Sequence, residues 1–150
     1  MEELGATASA VISFVERLEE DSSRFYDKLA ASFPTQREIL ITFAKDGRKN
    51  KTFVTRTYQE TVTDALETGY SFKGLVLHDF MPPVEWHEGM TLSRALEASI
   101  ALERKAVELY SDLARRSKTL LSTIPSAFKK MADNRATRMP RLELAATNPS

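Results

Sequence analysis

The sequence predicts an all-α fold, a four-helix bundle made of two helical hairpins joined by a long crossover. Three observations carry that expectation. Apolar residues recur about every 3.6 positions through four long stretches. Capping residues, prolines and glycines fall at the ends of those stretches. The same acid-bearing stripe also occurs twice, once in each half of the chain.

The second copy centres on ALERKAVELYSDLA, Ala101 to Ala114, and Leu96, Ser99, Glu103, Ala106, Tyr110 and Leu113 share one helical stripe that runs into it. Leu18, Glu19, Tyr26, Leu29 and Ala30 repeat Leu102, Glu103, Tyr110, Leu113 and Ala114 at constant spacing. A carboxylate in the middle of an inward face is costly unless something pairs with it. What Glu19 and Glu103 face is therefore the question the sequence poses.

Each element follows in order. The first helix, residues 7–31, starts near Thr7 or Ser9 and turns Ile12, Val15, Glu19, Ser22, Tyr26 and Leu29 inward. Pro34 separates it from the second, because proline cannot continue a helix interior. Thr35-Gln36-Arg37-Glu38 reads as a capping box that opens helix 35–67, with Gly69 as its stop. Leu40, Phe43, Gly47, Asn50, Val54 and Thr57 form the inner face of that helix, and its many threonines leave it dependent on packing.

Residues 70–90 hold Gly74, Pro82, Pro83, Gly89, both histidines and the only tryptophan, and read as the crossover. Their apolar side chains must be buried along the helices or against a partner chain. Thr91 caps the third helix, 91–117. The fourth, 123–144, accepts Pro125 in its first turn and directs Phe128, Met131, Arg135, Arg138 and Leu142 inward, with Pro140 kinking or fraying it.

Composition bounds the function. Charged residues are 28% and hydrophobic ones 42%, the balance of a globular domain with a continuous core. Lys plus Arg equals Asp plus Glu at 21 each, so no overall field favours nucleic acid or an anionic membrane. The absence of cysteine excludes disulfides, thiolate metal sites and a Cys nucleophile. The acidic N-terminus lacks the pattern of a signal peptide, which makes a cytoplasmic protein the expectation. No Ser–His–Asp arrangement, phosphate loop or nucleotide fingerprint is recognisable.

Glu19 with Tyr26 and Glu103 with Tyr110 form an E-x6-Y motif in each half, and Phe43-Ala44 and Met131-Ala132 anchor the helix that follows each copy. This arrangement resembles the ferritin-like superfamily, especially its small rubrerythrin-like branch, over nearly the whole chain apart from the crossover. The resemblance implies a ferritin-like antiparallel four-helix bundle and a di-metal site of four carboxylates and two histidines. Counting on from the anchors, the family's E-x-x-H positions fall on Gly47 and Asn50 in the second helix and on Arg135 and Arg138 in the fourth.

Two carboxylates and neither histidine remain, and arginine cannot deprotonate to become a ligand. The expectation is a metal-free relict centre of Glu19, Gly47, Asn50, Glu103, Arg135, Arg138, Tyr26 and Tyr110, in which bidentate Arg–carboxylate pairs fill the space of the metals. Asn50 would add a hydrogen bond there, and Gly47 would leave room for an arginine. No catalytic residue and no cofactor is assigned. The alternative is iron or manganese on Glu19, Glu103 and Asp46, if the second helix slips by one residue and turns Asp46 inward. His78, Asp79, Glu85, His87 and Glu88 read as exposed loop residues rather than a metal cluster, and Arg48, Lys49, Lys51 and Arg56 as a solvated helix face.

The functional expectation is a non-catalytic structural or interaction protein, a homodimer through helix faces or the 70–90 crossover. The alternative is a metal-dependent oxidoreductase of peroxidase or ferroxidase type with an altered site.

Overall fold

The structure, a computed structural model, describes residues 6–61, 71–72, 75–80, 86–117 and 123–147. It is all-α apart from one minimal ladder. The helices are α1 (Ala8–Ser32), α2 (Arg37–Thr61), α3 (Leu92–Arg116), α4 (Thr123–Ala136) and α5 (Arg138–Thr147). Two short strands, β1 (Ala6–Thr7) and β2 (Ser71–Phe72), pair antiparallel and tie the crossover to the start of α1. No described helix is long and apolar enough to cross a membrane.

The caps explain where α1 and α3 begin. Thr7 and Thr91 are extended, and their hydroxyls accept from Ala10 N at 3.1 Å and Arg94 N at 3.2 Å, each satisfying one of the free amides of a first turn. The expected capping box at Thr35 does not form. Pro34, with its φ already suited to a helical turn, opens a 3₁₀ turn over Pro34–Gln36, and Thr35 lies inside it. The helix proper then starts at Arg37, and the expected continuation to 67 with its stop at Gly69 lies outside the described residues.

The fourth rod is interrupted for one residue, Thr137, between two helices. Pro140 has no N–H for the carbonyl of Ala136, and its ring crowds that carbonyl. The α-helix accordingly stops at Ala136, Thr137 turns, and α5 carries the chain on to Thr147, beyond the expected 144.

The connection over residues 33–36 makes α1 and α2 neighbours, and side-chain pairs show that they run antiparallel. Asp27 meets Arg48, Glu20 meets Lys51 and Glu16 meets Thr55, so one number falls as the other rises. Against this hairpin, α3 packs on α4 and α5, and α2 touches α4.

The core has two apolar parts. One gathers Val11, Val15, Leu18, Val54, Leu109, Leu113, Phe128 and Met131. The other gathers Phe25, Leu29, Leu40, Phe43, Leu96, Leu102 and Leu142. Along every long helix, the residues between those two sets are the polar or small ones: Glu19, Ser22 and Ser23 in α1, Gly47 in α2, Glu103 in α3, and Arg135 and Arg138 in α4 and α5. A buried polar layer therefore divides the core at mid-height.

The described residues of the crossover lie along both parts of the core. Leu75 is buried in the first, with Leu77 and Phe80 against it, while Trp86 and Met90 pack on the second. Gly89, at φ 85°, supplies the left-handed residue of the turn closed by Met90 N donating to His87 O.

Candidate functional site

Glu19, Glu103, Arg135 and Arg138 meet in the polar layer, none more than 1% exposed. Arg135 is its hub. Its Nη2 donates to Glu19 Oε1 at 2.6 Å and its Nε to Glu19 Oε2 at 3.3 Å, a side-on bidentate grip. Its Nη1 reaches across to Glu103 Oε2 at 2.7 Å, and Nη2 also meets the Ser22 hydroxyl at 2.8 Å. One guanidinium thus joins carboxylates from α1 and α3. Arg138 adds a single bond, Nη1 to Glu103 Oε2 at 3.1 Å, and its guanidinium lies over the rings of Phe43 at 5.0 Å and Tyr26 at 5.9 Å.

The two tyrosines close the centre crosswise. Tyr26 donates to Glu103 Oε2 at 2.5 Å, and Tyr110 donates to Glu19 Oε2. Each E-x6-Y motif therefore locks the glutamate of the other. Within one helix, Glu and Tyr seven positions apart are about two turns from each other, too far to pair directly. Across two antiparallel helices, the same spacing brings each hydroxyl level with the opposite carboxylate.

Burial pushes both phenols well above their ordinary pKa of 10.0, and the facing carboxylate adds to the rise, Glu103 for Tyr26 and Glu19 for Tyr110. Both therefore act as neutral hydrogen-bond donors. Burial opposes the charge on Arg135, but the fields of Glu103 and Glu19 outweigh it and hold the guanidinium proton well above its ordinary value. The centre brings the Glu19 and Glu103 side chains and two guanidiniums together, all of them buried.

The remaining expected members take other places. Gly47 is buried and Asp46 only half-buried, so the second helix has the register that turns Gly47 inward. Gly47 does not make room for an arginine. A Cβ there would run into Ser23 Oγ and come within 3.2 Å of the Glu19 carbonyl oxygen, so this glycine lets α1 and α2 approach. The Ser23 hydroxyl uses that approach to donate to Ala44 O at 2.8 Å.

Asn50 is half-buried and donates to Asn134 Oδ1 at 3.2 Å, tying α2 to α4 rather than joining the ion cluster. Its short side chain stops beside the neighbouring amide, while the longer arginines fill the centre. His78, Asp79, His87 and Glu88 are exposed, and Glu85 lies outside the described residues. Among the described residues, no three His, Asp or Glu side chains gather as a metal-ligand set.

Three contributors were missed: Ser22 on Arg135, Ser23 on α2, and Asn134 on Asn50. Ser22 had a signal, since it stands one turn from Glu19 on the same stripe. Ser23 and Asn134 sit at stripe edges, where sequence alone does not fix the partner. A scan against protein-family models, a search of curated proteins and a search of solved structures each found no match to this chain.

Proposed function

We propose that this chain is a ferritin-like protein of the rubrerythrin-like branch in which a buried Glu/Arg cluster stands where that family holds two metals. In this reading it works as a non-catalytic structural or interaction protein, and the cluster fastens the two halves of a four-helix bundle together. The observation that carries the reading is Arg135, whose guanidinium bonds Glu19 and Glu103 at once. The duplicated E-x6-Y motif with its crossed hydrogen bonds supports the family assignment.

The residues present do not fit a di-iron or di-manganese group. Such a group needs several anionic oxygens and imidazoles of set geometry, whereas this centre offers two engaged carboxylates, no imidazole and two guanidiniums. The reading extends to a homodimer formed through helix faces or the 70–90 segment, which light scattering on the purified protein checks.

The test restores the family's donors with Gly47→Glu, Asn50→His, Arg135→Glu and Arg138→His, together with Ser23→Ala to relieve the contact at position 47. This variant is expected to take up iron or manganese. The unmodified chain is expected to show neither ferroxidase nor peroxidase turnover. Turnover by the unmodified chain that disappears with Glu19→Ala would overturn the reading, and that measurement stands even if the restored variant fails to fold.

A further inference from the structure

We propose that the Arg138 end of the centre is a binding site for one buried water molecule, which joins the Arg138 guanidinium to Glu103. The inference rests on how unevenly the two arginines and the two carboxylates are used. Arg135 grips Glu19 with its Nε and Nη2, the side-on edge that matches an acceptor with two oxygens. The same edge of Arg138, Nε and Nη2, has no hydrogen-bond partner although the residue is 1% exposed. On the facing carboxylate, Glu103 Oε2 accepts from Tyr26, Arg135 and Arg138, while Glu103 Oε1 accepts from nothing.

Buried polar groups left unmatched are costly, and those that persist in folded proteins are usually matched by ordered water. The chemistry of the three atoms selects the ligand. Nε–H and Nη2–H are donors and require an acceptor, whereas Glu103 Oε1 is an acceptor and requires a donor. One small molecule that offers both would match all three. Water accepts from the Arg138 edge and donates to Oε1, and two to four polar partners are what a buried water needs.

Charge argues against an anion. Glu19 and Glu103 already balance Arg135 and Arg138, so a carboxylate or other oxyanion would add an unbalanced charge next to Glu103. The water completes the half of the centre that the protein's own groups leave open, and makes the Glu103 side a hydrated ion pair beside the dry pair at Glu19.

A crystal structure of the full chain, at a resolution that orders internal solvent, tests this directly. The expected result is one compact density peak within roughly 2.7–3.2 Å of Glu103 Oε1 and of Nε or Nη2 of Arg138. Oxygen-17 relaxation dispersion in solution should detect a long-lived internal water that Arg138→Met loses. Two crystallographic results would overturn the proposal: Arg138 turned to grip Glu103 Oε1 with no peak between them, or elongated density of a carboxylate or other oxyanion on the Arg138 edge. If Arg138→Met does not fold, the crystallographic result decides alone.

Discussion

The two halves of the chain carry the same motif but hold its glutamate differently. Glu19, from the first half, is gripped on both oxygens by one arginine and closed by Tyr110. Glu103, from the second half, takes three donors on one oxygen and none on the other. The cause lies in the helices that follow each motif. At corresponding register, α2 supplies Gly47 and Asn50, which are small and neutral, whereas α4 and α5 supply Arg135 and Arg138. Both cations come from the second half, so Glu19 can be paired only across the core, and the first half is incomplete alone.

Removing the hub should break that comparison most severely. Arg135→Met leaves buried Glu19 with no cationic partner, while Glu103 keeps Arg138, and chemical denaturation should show a loss of about 3–5 kcal/mol, or no folded protein at all. A smaller loss would mean that Glu19 reaches water without it.

The crossed tyrosines should separate next. Tyr110→Phe leaves Glu19 Oε2 with only the 3.3 Å contact from Arg135, whereas Tyr26→Phe leaves Glu103 Oε2 with two charged donors. The first variant should lose roughly 1.5–3 kcal/mol and the second clearly less. Equal losses would show that the two carboxylates are held alike.

The phenols also give the centre a pH signature. Their folded pKa is raised, so the stability they contribute is fully present below the ordinary value of 10.0 and is lost as pH rises above it. Each contributes a slope of up to about 1.4 kcal/mol per pH unit there, and urea unfolding of the double Tyr→Phe variant should lack that part of the decline.

Gly47→Ala tests the α2 side. The added Cβ runs into Ser23 Oγ, and overpacking of this kind costs about 1–3 kcal/mol. Adding Ser23→Ala should recover part of the loss despite removing the hydrogen bond to Ala44, because it clears the space and leaves the better helix former. The smallest effect is expected at Asn50→Ala, below about 1 kcal/mol, since the bond lost is a half-buried one between amides.

The all-helical frame was legible because four strongly periodic stretches with clear stops leave little else to build. The four charged residues of the centre were legible too, since each stands on an apolar stripe where only a partner could justify it. Local chemistry at the ends was harder to read. Thr35 and Glu38 spell a capping box, yet the proline one residue earlier starts the turn and takes the cap away. The role of Gly47 was hidden as well, because a glycine in mid-helix announces a close approach without naming what approaches. The uneven loading of Glu103 could not be read from sequence, because it depends on which edge of each guanidinium faces which oxygen.

In the proposed reading arginine, and not metal, holds the duplicated glutamates. Elemental analysis of the protein, purified without chelator from cells supplied with iron and manganese, tests it most directly. The account predicts no stoichiometric metal, and no change with Glu19→Ala in whatever trace remains. One or two metal ions per chain, lost on Glu19→Ala, would contradict it.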